Sequence, residues 1–181
     1  MNLANKITIL RVIMIPIFLI VLFSNIKYNN YIAAIIFIVA SLTDSLDGYI
    51  ARSRNLVTNF GKFIDPLADK LLVSAALISL IQMGKISSWI VIIIIAREFT
   101  ITGLRTIAAS EGITIAASPL GKIKTITQLI AIIALLLDNF PFRLIGFPFD
   151  KIMIYLSLLF TILSGVDYLF KNKHVLKIDD K

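Results

Sequence analysis

Four aspartates, Asp44, Asp47, Asp65 and Asp69, stand in a short stretch flanked by long apolar runs. Carboxylates in such a setting are costly unless they are paired or bind something. On a helix, Asp44 and Asp47 fall about 60° apart, and Gly48, Ala51 and Arg52 complete an arc of roughly 140°. Asp65 and Asp69, at i and i+4, share a face of the next helix. Two helix ends then present two carboxylate pairs, with Gly48, Ala51 and Gly61 allowing close approach. Four neighbouring carboxylates do not all stay ionised without cations. Hard divalent ions with oxygen ligands answer this, and Mg2+ or Mn2+ suits. Two such ions between two carboxylate pairs fit an in-line displacement at phosphorus. The plainer reading is a salt-bridge cluster with Arg52, Arg54, Lys62 and Lys70; four aspartates at this spacing beside two glycines favour the metal site.

The remainder of the chain has to hold that stretch in place. Hydrophobic residues make up 58% of the 181, and mean hydropathy is +0.91. The apolar residues come in long runs, as in an integral membrane protein. Cysteine is absent, which excludes disulfides and thiol chemistry, and the single His174 lies in the polar tail, away from any catalytic grouping. The net charge of +7 sits between the apolar runs. It therefore speaks for anionic lipid and membrane topology, not for a nucleic-acid partner.

The runs predict an all-α, polytopic membrane protein of six transmembrane helices, over about 9–23, 31–53, 61–83, 87–110, 120–137 and 151–170. A short interfacial N-terminal segment precedes the first helix, and a charged cytoplasmic tail, 171–181, follows the last. All of it reads as one domain, 1–181. No small-residue cleavage pattern follows the first apolar run, so that run is expected to be a retained helix. Six helices put both termini on one side. That side carries fourteen of the Lys and Arg residues and the other four, which places the termini and the aspartate stretch in the cytoplasm and the chain in the cell membrane.

A second group of charged residues concerns a different ligand. Arg97 and Arg105 lie about 80° apart on one helix, and Lys122 and Lys124 open the next. Arginine forks and a lysine point charge suit a phosphate dianion. The competing reading makes Arg97–Glu98 an intramembrane ion pair and Lys122 and Lys124 positive-inside anchors. Beyond Lys124 the last two helices read as packing, with Asp167 a structural partner.

The pattern Asp44-x2-Asp47-Gly48-x2-Ala51-Arg52-x8-Gly61-x3-Asp65-x3-Asp69 resembles the signature of the CDP-alcohol phosphatidyltransferases, with every position matched. Members of that family are six-helix membrane enzymes, often homodimers, with the site at the cytoplasmic face. They move a phosphatidyl group from a CDP-linked lipid to an alcohol and release CMP. The resemblance implies that Asp44, Asp47 and Asp65 ligate two metal ions, with Asp69 shared between metal binding and the general-base role. It also implies that Gly48, Ala51 and Gly61 line the nucleotide pocket, that Arg52 contacts the diphosphate and that Asn5 and Thr8 touch the nucleotide. The segments A-R-E-F-x-x-T-G-L-R, from Ala96, and G-K-I-K, from Gly121, are similar to those of the subgroup that makes phosphatidylglycerophosphate. This implies CDP-diacylglycerol as donor and sn-glycerol 3-phosphate as acceptor. Arg105 and Lys122 would hold the acceptor phosphate, with Arg97 second. One departure is Ala4, where relatives often carry proline. The alternatives are another acceptor (inositol phosphate, serine or phosphatidylglycerol) and a divalent-cation transporter. A prenyl-transferring enzyme would show a D-D-x-x-D run, which this chain lacks.

Overall fold

The computed structural model describes residues 3–53, 59–110, 112–113, 115–116 and 118–173, without the side chains of 3–8, 44–53, 59–67 and 69. Among the described residues every regular element is helical: α1 (Leu3–Leu22), α2 (Asn29–Ser53), α3 (Asn59–Gln82), α4 (Ser88–Ser110), α5 (Pro119–Leu136) and α6 (Phe149–Lys171). Helices α2 to α6 end within two residues of the bounds that the apolar runs predict. The N-terminal lead-in differs, because α1 is already helical from Leu3 and continuous with the first apolar run. A single 3-10 turn, Phe142–Ile145, occupies the loop before α6.

Local chemistry sets the ends. Gly84 follows α3 at φ +70°, and the Lys85 N–H reaches back to the Leu80 carbonyl at 3.0 Å. Gly112 does the same after α4 at φ +73°, with Ile113 N–H on the Ala108 carbonyl at 2.8 Å. Both are left-handed helix stops in which a Cβ would be strained. Helix α5 starts on a capping serine, Ser118, with Pro119 in the first turn.

The closest pairings are α5 with α6 and α1 with α2, and α4 lies against α6 and α3. Small residues at the contacts, among them Ala33, Ala34, Ala76 and Ala131, are fully buried and let the backbones approach. Larger side chains such as Phe18, Phe37, Leu77, Ile94 and Ile132 fill the space between them. Polar groups are turned inward too: Gln128, Ser157, Thr161 and Ser164 are all buried. Outward, by contrast, Ile20, Trp89, Leu144, Ile145 and Phe170 are each at least 70% exposed. An apolar exterior around a partly polar interior is the reverse of a soluble domain. Helices α5 and α6 are long and apolar enough to cross a membrane. Together these features are those of a membrane protein.

One end of the bundle is tied by Lys85. Its ammonium donates to the Leu135 carbonyl at 2.8 Å and pairs with Asp138 at 2.8 Å, while Asn30 donates to the same carboxylate at 3.0 Å. The tie joins the start of α2, the α3–α4 turn and the end of α5. Burial alone would raise the Asp138 carboxyl, but hydrogen bonds from Lys85 and Asn30, with the charges of Lys85 and Arg143, hold it below its ordinary value of 3.8. A depressed folded pKa stabilises above the unfolded value and is lost as pH falls through the folded one. Asp138→Asn should therefore be less stable at pH 7 by about 0.5–1 kcal/mol after solvent screening. That gap should close as the pH drops below 3.8. Thermal melts of the detergent-extracted protein from pH 7 to pH 3 check this; a gap no smaller at pH 3 than at pH 7 contradicts it.

Candidate functional site

Glu98 sits mid-way along α4, where an isolated carboxylate would be expensive. Three cations from three helices surround it. Its Oε1 accepts from Lys124 of α5 and from Arg97 of α4, the latter at 3.1 Å, and its Oε2 accepts from Lys70 of α3 at 3.3 Å. Side-chain exposure is 20% for Glu98 and only 4% for Lys124. Among the described side chains one acid meets three bases, a local surplus of positive charge.

The cluster borders a pocket of about 480 Å³. Arg97, Arg105 and Lys122 all line it, beside Lys70, Glu98, Thr102, Ser118, Gly121, Thr125 and Tyr168. The N-terminus of α5 opens here, where the Gly121 N–H donates to the Ser118 hydroxyl at 3.1 Å. A helix N-terminus adds partial positive charge and suits an anion. The arginines differ in how far they are committed. Arg97 spends Nη1 on Glu98 and donates Nη2 to Ser164 at 3.0 Å. Arg105 donates Nε to the Tyr168 hydroxyl at 2.7 Å, with its guanidinium carbon 5.3 Å from the ring centre. Lys122 is exposed and has no ion pair among the described residues.

On the other side of Glu98 lies a cavity of about 140 Å³. Lys70 and Glu98 line both spaces, and the smaller one extends to Ser41 of α2. Ser41 stands one helical turn before Asp44, and Lys70 directly follows Asp69. The two cavities therefore run from the start of α5 toward the helix segments that carry the aspartates.

Of the residues singled out in the sequence, Arg97, Arg105 and Lys122 come together on one pocket. Asn5 and Thr8 lie in α1, Asp44, Asp47, Gly48, Ala51 and Arg52 in α2, and Gly61, Asp65 and Asp69 in α3. The side chains of these ten are outside the described residues. The Arg97–Glu98 ion pair of the competing reading is present, and Asp167 pairs with Lys171 at 2.8 Å as a structural partner. Two readings need correction. Lys124, grouped with Lys122 as a phosphate point charge or, in the competing reading, as an anchor, is instead buried against Glu98. Helix α6 is more than packing, because Ser164 and Tyr168 hold the two arginines. Thr161, Ser164 and Tyr168, spaced on one face of a mostly apolar helix, were the available signal.

Residues 1–163 match the family model described as CDP-alcohol phosphatidyltransferase. The chain belongs to this family. A CDP-diacylglycerol–glycerol-3-phosphate 3-phosphatidyltransferase of Bacillus subtilis (strain 168) is 51% identical over 188 residues, covering 97% of each chain. Proteins of the same name from Haemophilus influenzae and Rickettsia prowazekii are 39% and 37% identical, over 93% and 92% of this chain. They cover 91% and 93% of their own lengths.

Neutralising Glu98 strands a buried lysine among apolar helices. Glu98→Gln should cost about 3 kcal/mol of stability, and adding Lys124→Met should recover part of it. Thermal melts of both variants check this; a double variant no more stable than Glu98→Gln contradicts the pairing.

Proposed function

We propose that this chain transfers the phosphatidyl group of CDP-diacylglycerol to sn-glycerol 3-phosphate, giving phosphatidylglycerophosphate and CMP in phospholipid biosynthesis. The observation that carries the proposal is the cationic pocket. Arg105, Lys122 and the α5 N-terminus line a space whose α3 edge, Lys70, follows Asp69 directly. The relatives that cover nearly the whole chain bear the name of this activity. An acceptor without its own phosphate, such as serine, would leave the pocket cations unpaired, which weighs against it.

Asp44, Asp47, Asp65 and Asp69 form an oxygen-only donor set on two helices, which fits Mg2+ or Mn2+, two ions in the proposed site. Bound there, such ions polarise phosphoryl oxygens and stabilise a phosphate leaving group. The chain's own residues do the rest. Gly48, Ala51 and Gly61, with Asn5 and Thr8, admit the cytidine and ribose, and Arg52 faces the diphosphate. Arg105 and Lys122 hold the acceptor phosphate, with Arg97 behind them. Asp69 takes the proton from the acceptor's hydroxyl, which attacks the lipid-bearing phosphorus. The bond from that phosphorus to the bridging oxygen breaks, and CMP leaves with the oxygen.

The bundle is proposed to span the cell membrane six times as a homodimer, with termini and site on the cytoplasmic side, where a soluble acceptor meets a lipid donor. Helix α4 carries Arg97, Glu98 and Arg105 within its length. Its acid is compensated from inside the bundle, which makes a crossing affordable.

The purified protein should release CMP from CDP-diacylglycerol only when glycerol 3-phosphate and Mg2+ are both present. Release that ignores the acceptor would count against the proposal. Asp69→Asn should lower turnover by about 10²–10⁴-fold while still binding the donor. Arg105→Ala should raise the KM for glycerol 3-phosphate about tenfold or more with the donor KM unchanged; equal effects on both would argue against an acceptor role.

A further inference from the structure

Helix α6 buries a polar turn where an apolar one would pack as well. Ser164 is fully buried and Tyr168 is 3% exposed, one helical turn apart on one face. Such groups are costly inside an apolar bundle unless something uses them. Ser164 is used twice: its hydroxyl accepts from Arg97 Nη2 at 3.0 Å and donates to the Thr161 carbonyl at 3.2 Å. Between them, Gly165 gives Arg97 room, since a Cβ there would stand 3.1 Å from the Arg97 Cγ. Tyr168 takes the Arg105 Nε at 2.7 Å and lies against the guanidinium. These residues fall just past the segment that the family model matches.

We infer that Ser164 and Tyr168 are positioning residues for the acceptor, acting through Arg97 and Arg105. A guanidinium has a fork of donors in fixed geometry, and its Nε is the one nearest the stem. With Nε held by Tyr168, the Nη edge of Arg105 is left for a phosphate in a set orientation. Arg97 is pinned flat on α6 at Gly165 and contributes its charge from behind. Ser164 stands off the pocket wall, and Tyr168, which lines it, has its hydroxyl engaged by Arg105. The pair converts two mobile arginines into a preformed anion site, which lowers the ordering cost of binding. The inference rests on the acceptor reading of this pocket.

Tyr168→Phe tests it, because the ring stays in its apolar contacts with Ile101 and Leu104 and only the hydroxyl goes. Its KM for glycerol 3-phosphate should rise about five- to tenfold, with kcat and the CDP-diacylglycerol KM within about twofold of the parent. Ser164→Ala should raise the same KM about two- to threefold through Arg97, and carries the test if Tyr168→Phe yields no folded protein. An unchanged acceptor KM, or equal rises for both substrates, overturns the positioning role. Arg105→Ala measured in parallel separates the two levels. If it raises the acceptor KM while the α6 variants do not, only the positioning role fails. If it too leaves that KM unchanged, the acceptor reading of the pocket fails with it.

Discussion

An ionised carboxylate inside an apolar bundle must be answered by charges from its surroundings, because desolvation costs several kcal/mol per ion. Glu98 imposes this constraint here. Its partners come from α3, α4 and α5, so satisfying one acid fixes the register of three helices at the same level. A sliding or rotating helix would strand a charge. The small buried residues elsewhere, such as Ala76 and Ala131, let the helices approach closely, whereas the Glu98 pairs specify how they align.

The same cluster is unbalanced, and that imbalance is what gives the neighbouring space its chemistry. Among the described side chains three bases meet one acid, and Arg105, Lys122 and the α5 N-terminus add to the surplus on the pocket side. The bases are not equivalent. Lys124 and Arg97 are spent on Glu98 and, for Arg97, on Ser164; Arg105 and Lys122 face the open volume. Stability and recognition are thus divided among cations that look alike in the sequence. Lys70 and Glu98 line both this pocket and the smaller cavity that reaches Ser41, which sets the two spaces beside the helices that bear the aspartates.

Much of this was legible beforehand. The apolar runs gave five of the six helices to within two residues, because the length of an apolar segment and its Gly or Pro stops are local properties. Arg97, Arg105 and Lys122 could be grouped because arginine and lysine at those spacings had a shared chemical purpose. The fate of Lys124 was not legible. A lysine two residues after Lys122 at a helix start reads as a phosphate ligand or a surface anchor until α3 and α4 are packed against it. Tyr168 was missed for a related reason: its partner Arg105 is 63 residues away, and helical periodicity says which face a residue is on but not what that face meets.

The central claim is that the pocket beside Glu98 recognises the phosphate of the acceptor. The most direct measurement compares glycerol 3-phosphate with glycerol as acceptors, following CMP release from CDP-diacylglycerol by the purified protein. Turnover with glycerol 3-phosphate and none above background with glycerol is the predicted result. Comparable kcat/KM for the two would contradict it, since a site built from Arg105 and Lys122 would then be reading something other than phosphate.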